Sequence, residues 1–193
     1  MCFLYQRLTL YGAVDEVDNL IQGETKSPTM SQPTFKYFLE QFPNLDLPLT
    51  FSEDTVRTIS RETPPLPPAL IAQFLLPIEP GMADELTEFV ACLRLPEKDE
   101  YVGIIYWRAD LLQYHYTLAT FHPATQELID RQVIAGVSYD GEEVTQTQAV
   151  MNESLMIYQV SGQANAEGEF EYKASSSTAR RFKIAASGKI IEL

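Results

Sequence analysis

From about residue 86 to the C-terminus, apolar residues recur at every second position in short runs that turn signals separate. This period is typical of a strand with two different faces. The runs predict strands near residues 86–95, 102–108, 111–121, 128–137, 144–151, 155–160, 169–174, 181–185 and 189–193. No helix-length segment interrupts them, which disfavours parallel pairing. The pattern predicts an antiparallel up-and-down meander of about seven or eight strands.

Residues 1–80 follow a different pattern, and the chain is therefore predicted to be α+β and mainly β. Helical spacing predicts a helix over 3–22 and a short helix over 33–42 that ends at Pro43. Dense prolines over 43–80 exclude central strands, although Pro67-Pro68 can begin a helix over 69–76. The prolines at 63–68 indicate a stiff connector, with an SH3-type ligand as the alternative. We expect a helical, Pro-rich segment (1–80) packed on the meander (81–193) in one globular domain.

One hairpin can be assigned a register. If Ala109-Asp110 is a two-residue turn, Ile105 faces Tyr114 and Gly103 faces Tyr116. That face is almost wholly apolar and is predicted to be the core face. The opposite face is mixed, as in a sheet with one wetter side. Its residues predicted to be partly exposed form the candidate binding surface: Tyr106, Arg108, Gln113 and His115.

The net charge of the chain indicates which classes of partner it can bind. The formal net charge is −13, from 27 acidic and 14 basic residues. Such a chain repels phosphate backbones, so nucleic-acid binding is not expected, whereas a basic protein is a suitable partner. An edge strand of the meander could also pair with a second copy.

The remaining composition favours a cytoplasmic protein. Cys2 and Cys92 form no CxxC pair, so two free thiols are expected, with Cys92 buried and inert. No apolar run is long enough to span a membrane, and the first residues lack the pattern of a signal peptide. Met1-Cys2 leaves a lipoprotein without its signal peptide as the alternative.

The sequence contains no familiar catalytic motif. It lacks GxSxG and the Gly-rich phosphate loops. His115 and His122 fall on opposite faces of a strand, so they do not converge on a metal. The clustered carboxylates lie in turns, where solvation is their ordinary role. We therefore predict no catalytic residue, no metal and no cofactor.

Three stretches carry a resemblance. Residues 42–48 read Phe-Pro-Asn-Leu-Asp-Leu-Pro, residues 118–130 form a hairpin from Leu118 to Asp130, and Arg181-Phe182-Lys183-Ile184 precedes Gly188-Lys189-Ile190. Residues 35–193 are thereby similar to uncharacterised bacterial proteins with an N-terminal FP..LP segment and a C-terminal antiparallel meander. This chain has Pro-Ala-Thr-Gln where a glycine turn is more usual. The resemblance implies a fold and no activity.

Three functional hypotheses follow. The first is a non-catalytic protein-binding module, in one version an immunity-type protein that neutralises a basic toxin. The second is a hydrolase-type enzyme whose site is assembled from distant residues. The third is a structural subunit that pairs through an edge strand. An open sheet covered by the Pro-rich segment is expected rather than one that closes on itself.

Overall fold

A single antiparallel sheet organises the chain in the computed structural model, which describes residues 33–165 and 177–193. The predicted helix over 3–22, Cys2 and the predicted strand over 169–174 lie outside the described residues. The strands are β1 (Leu49–Phe51), β2 (Glu88–Arg94), β3 (Val102–Asp110), β4 (Gln113–Phe121), β5 (Leu128–Tyr139), β6 (Glu143–Met151), β7 (Ile157–Asn165), β8 (Ser177–Ile184) and β9 (Ile190–Glu192).

The strands from β2 to β9 pair in sequence order, which confirms the mainly-β antiparallel meander. Within the described residues no pairing joins β2 to β9, so the sheet is open there. Its last hairpin nevertheless curls back onto β4 and β5. The Thr120 hydroxyl donates to the Gly188 carbonyl at 2.7 Å, and the Ile190 N–H donates to Asp130 at 2.9 Å.

The Pro-rich segment contributes a ninth strand that the sequence did not indicate. β1 pairs with β6 alone, from Leu49 opposite Met151 to Phe51 opposite Ala149. A strand of three residues with one neighbour is compatible with nearby prolines, which are excluded only from central strands. The segment before residue 80 is thus part of the sheet as well as its cover.

Between residue 33 and the meander the structure has three helical elements: α1 (Phe35–Leu39), α2 (Glu53–Glu62) and α3 (Pro68–Leu70), which continues as a π turn (Ile71–Leu75) and a 3-10 turn (Leu76–Ile78). The short helix and the Pro-initiated helix lie where they were predicted. α2 was missed, although Ser52 and Thr55 form the capping box that begins it. The ten residues of α2 are mostly polar and lie between prolines, so the sequence shows no long run of apolar residues at helical spacing there.

Both faces of β3 and β4 are covered, and this corrects the expectation of a wetter side. One core joins Ile105, Tyr116 and Leu118 to α2 and to β1. The other joins Ile104, Tyr106 and Ala119 to aromatic residues of α1 and the helical segment after Pro67. The mixed face is buried because α1 and the helical segment after Pro67 cover it.

The hairpin register also differs from the prediction. Its turn is Leu111-Leu112, so Ile105 faces Leu118 and Gly103 faces Thr120. The observed register is shifted from the predicted one by an even number of residues. Because side chains alternate between the two faces with period two, each residue still lies on the face predicted for it. Gly103 leaves room for Leu95 rather than for Tyr116, since a Cβ there would come within 2.4 Å of the Leu95 Cδ1.

Cys92 is a free thiol in the first of these cores. Its surroundings are apolar, and burial raises the pKa of the thiol far above its ordinary value. The expectation of a buried cysteine is confirmed, and its lack of reactivity stays a prediction.

Candidate functional site

A buried carboxylate lies at the centre of the candidate site. Glu79 follows the 3-10 turn that ends at Ile78, and its side chain has 0% exposure. The Tyr106 hydroxyl and Arg131 Nη2 donate to its Oε1, the latter at 2.8 Å. Arg108 Nη1 donates to its Oε2 at 2.8 Å. We call the group of Glu79, Tyr106, Arg108, Asp110, His115 and Arg131 the charge cluster.

The charge cluster holds the loop that follows Glu79 against the sheet. Arg108 Nη2 donates to the Met82 carbonyl at 3.1 Å and to Asp110 Oδ1 at 3.0 Å. The Thr87 hydroxyl donates to the same Asp110 oxygen at 3.0 Å. Both ends of the loop are therefore bonded to the end of β3.

Both carboxylates of the charge cluster are held ionised. Burial alone would raise the pKa of Glu79, but His115, Tyr106 and Arg131 facing it lower that pKa far below its ordinary value. Arg108 and Thr87 likewise lower the pKa of Asp110 against the effect of burial. Two guanidinium groups balance two carboxylates, as a buried charge requires.

This arrangement does not suit acid–base catalysis. Burial and the neighbouring Glu79 raise the pKa of Tyr106 far above neutrality. Glu79 keeps its charge and Tyr106 keeps its proton across the physiological range, whereas a general acid or base needs a pKa near the working pH. The cluster is built to fix structure rather than to transfer protons.

We expect the stability of the protein to fall in acid because of Glu79. Its pKa is lower in the folded than in the unfolded chain, so its contribution is complete above the unfolded value of about 4.3 and is lost as the pH falls below it. The loss from this group is expected to reach about 2 kcal/mol between about pH 5 and about pH 3. Urea unfolding across that range measures it. The slope should be shallower in Glu79→Gln, and equal slopes in the two proteins would contradict the assignment.

His115 joins the charge cluster to the surface beside it. Its Nε2 is buried, lies 3.7 Å from Glu79 Oε2 and has no hydrogen-bond partner within the described residues. The ring is partly exposed on its other side and lines a polar groove between β4 and β7. His115 is thus the only predicted site residue that belongs to both features.

The other predicted site residues are divided between these two features. Tyr106 and Arg108 are buried, so the expectation that they are partly exposed is wrong; Glu79 and the loop after it cover them. Gln113 is exposed opposite Asp110 and lines the polar groove. The role of the four residues in binding stays a prediction.

Four exposed apolar side chains lie on the two loops that adjoin the charge cluster. They are exposed by 96% (Met82), 59% (Leu86), 74% (Leu111) and 63% (Leu112). We call these four residues the tip surface. Met82 and Leu86 belong to the bonded loop, and Leu111-Leu112 form the turn just after Asp110. Asp84 orders the loop further by accepting from the Leu86 N–H at 2.9 Å.

Neither a metal centre nor a spanning helix emerges from the described residues. Residues 33–165 and 177–193 contain no group of three His, Cys, Asp or Glu side chains placed to hold a metal ion. His122 lies in an exposed turn, where its Nδ1 accepts from the Thr125 N–H at 3.2 Å. Over the same ranges, no helix has the length and apolar character needed to cross a membrane.

Comparison with known proteins adds no relative to this description. No family model matches the chain, and no curated protein or solved structure matches it significantly. The resemblance to uncharacterised bacterial proteins therefore stays a prediction, and the geometry of the site carries the functional argument.

Proposed function

We propose that the protein is a non-catalytic binding module whose tip surface docks on a basic protein. The observation that carries this proposal is the set of four exposed apolar side chains on two loops that a buried ionic network ties together. Contiguous exposed apolar surface on a folded protein marks an interaction site more often than chance. The hydrogen bonds of the charge cluster already order the two loops in the free protein, so binding loses little conformational entropy there, which favours high affinity.

The charge around the tip surface indicates the kind of partner. Asp84, Glu85 and Glu88 are exposed in and beside the loop, and the whole chain carries −13. The nearest basic side chain, Arg108, is buried and neutralised by Glu79 and Asp110. A basic surface with an apolar centre would complement this region, and the acidic rim would accelerate the encounter. An immunity-type protein that neutralises a basic toxin is the concrete version of this function.

Affinity capture from a cell lysate, followed by titration of the captured protein, tests the proposal. We expect the wild-type chain to retain a basic protein that high salt releases. In Leu111→Ser/Leu112→Ser the affinity should fall by at least about tenfold, because two anchoring side chains are lost. In Asp84→Asn/Glu85→Gln/Glu88→Gln association should be slower and less dependent on salt.

A matched control keeps the test specific. Tyr158 and Val160 are exposed apolar residues on β7, away from the tip. Tyr158→Thr/Val160→Thr should bind the captured protein as the wild type does. Equal capture by the tip variants and the wild type, or the absence of any basic protein from the wild-type column, would contradict the proposal.

A further inference from the structure

A second surface feature lies beside the charge cluster and has a different chemistry. It is a polar groove of about 300 Å³ across β4, β5, β6 and β7. Most of its side chains are uncharged hydrogen-bonding groups, among them Gln113, Gln132, Gln159, Thr145, Thr147 and Ser161. Its volume is at the lower end of the range for small-molecule sites, and its lining is more polar than that of most such sites, which favours a polar ligand.

The pairing of the strands places a row of residues across the centre of the polar groove. His115 pairs with Gly136, Gly136 with Thr147, and Thr147 with Ser161, so these residues form one row on the same face. The two hydroxyl oxygens of Thr147 and Ser161 lie 2.9 Å apart. Gly136 contributes no side chain, and the β4 backbone at Tyr114 and His115 lies close to the position that a Cβ would occupy there.

An irregularity in β5 fixes the orientation of one lining amide. The register between β4 and β5 shifts beside Ile134, which takes backbone carbonyls out of the ladder. Gln159 Nε2 donates to the Val133 carbonyl at 3.3 Å and to the Ile134 carbonyl at 2.9 Å. These two hydrogen bonds fix the orientation of the Gln159 amide in the lining of the polar groove.

The described part of the lining of the polar groove is electrically neutral in a strongly acidic protein. Within residues 33–165 and 177–193, no aspartate or glutamate lines it. Its one arginine, Arg180, is matched by Glu192, with contacts of 2.8 Å from Nε and 2.7 Å from Nη2. Donors and acceptors of uncharged side chains thus outnumber charges, which favours a ligand with many hydroxyl groups and no net charge.

We propose that the polar groove binds a neutral polyhydroxylated ligand of monosaccharide size. The hydroxyls of Thr147 and Ser161 supply donors and acceptors, the fixed Gln159 amide adds a polar wall, and His115 lies at the end next to the charge cluster. This site is separate from the tip surface, so it stands whether or not the tip binds a protein.

Titration of ¹⁵N-labelled protein with glucose, galactose, mannose and myo-inositol, followed by amide NMR, tests the proposal. Glucuronate serves as the charged comparator. We expect at least one neutral ligand to give saturable shifts at millimolar concentration, centred on the amides of Gly136, Thr147 and Ser161. In Thr147→Val/Ser161→Ala the dissociation constant should rise about tenfold, since two hydrogen-bonding groups are lost.

The control is Thr50→Val, an exposed threonine on β1 outside the polar groove. It should bind the same ligand with unchanged affinity, and thermal unfolding confirms that both variants are folded. Shifts that do not saturate, shifts centred elsewhere, or binding of glucuronate alone would each overturn the proposal.

Discussion

Replacing Glu79 by glutamine is expected to lower the free energy of unfolding by about 3–5 kcal/mol. The substitution keeps the size of the side chain and removes its charge, so Arg108 and Arg131 lose the carboxylate to which both donate at 2.8 Å. A guanidinium left partly unpaired in a buried site costs much more than the original pair contributes. Urea unfolding at neutral pH measures the change.

An exposed ion pair in the same protein provides the control. Glu192 accepts two hydrogen bonds from Arg180, but its side chain is 48% exposed. Because solvent screens such a pair, Glu192→Gln should change the free energy of unfolding by no more than about 1 kcal/mol. Similar effects of the two substitutions would refute the assignment of Glu79 as the centre of a buried network.

The second large effect is expected at Gly136. Its φ is +149°, and a Cβ built there would lie 2.2 Å from the Tyr114 carbonyl oxygen and 2.7 Å from the His115 Cα. Both are backbone atoms of β4, which cannot move aside as a flexible side chain can. Gly136→Ala should therefore destabilise the protein by about 3–5 kcal/mol, from backbone strain and overpacking together.

Gly81 separates these two causes. Its φ of +148° matches that of Gly136, but nothing lies within 4 Å of the position that a Cβ would occupy. Gly81→Ala carries the backbone strain alone and should cost about 1–3 kcal/mol. If both alanine variants lost the same stability, the close approach of β4 to β5 would not be the reason for the glycine at position 136.

Much of the sheet could be predicted because its signals are local. Alternation such as that of Tyr114, Tyr116 and Leu118, which all face one core, and a turn such as Asp140-Gly141 depend on neighbouring residues only. Asp140 accepts from the Glu142 and Glu143 N–H groups in the structure. The hairpin turn was predicted at the wrong residues, but the two faces of the hairpin were predicted correctly. A register shift by an even number of residues leaves each side chain on the same face of the sheet.

The charge cluster could be predicted only in part. Tyr106, Arg108 and His115 alternate along one face of a hairpin, and this local pattern placed them together. Glu79 is 27 residues from Tyr106 and 52 from Arg131, and it lies in a Pro-rich segment without periodicity. Two arginines in otherwise apolar strands require a carboxylate, but nothing in the sequence indicates which of the 27 acidic residues supplies it.

The prediction that the mixed face of β3 and β4 is partly exposed was wrong for a related reason. Whether a mixed face is solvated depends on what covers it. Here α1 and the helical segment after Pro67 pack on Tyr106, and Glu79 with the loop after it covers Arg108. The sequence of these elements indicates where helices form but not which side of the sheet they contact. Long-range packing, rather than strand propensity, decided the burial of Tyr106 and Arg108.

The pairing of β1 with β6 has a consequence for synthesis on the ribosome. Leu49 and Met151 are separated by about a hundred residues, and a ribosome adds residues at roughly 5–20 per second. β1 thus emerges many seconds before its strand partner exists, whereas the apolar sides of α1 and of the helical segment after Pro67 can pack on β3 and β4 as soon as residue 121 has emerged. We expect a nascent chain of intermediate length to hold its helices on the sheet while the backbone groups of β1 still lack their partner, and β1 to become ordered only when β6 has emerged.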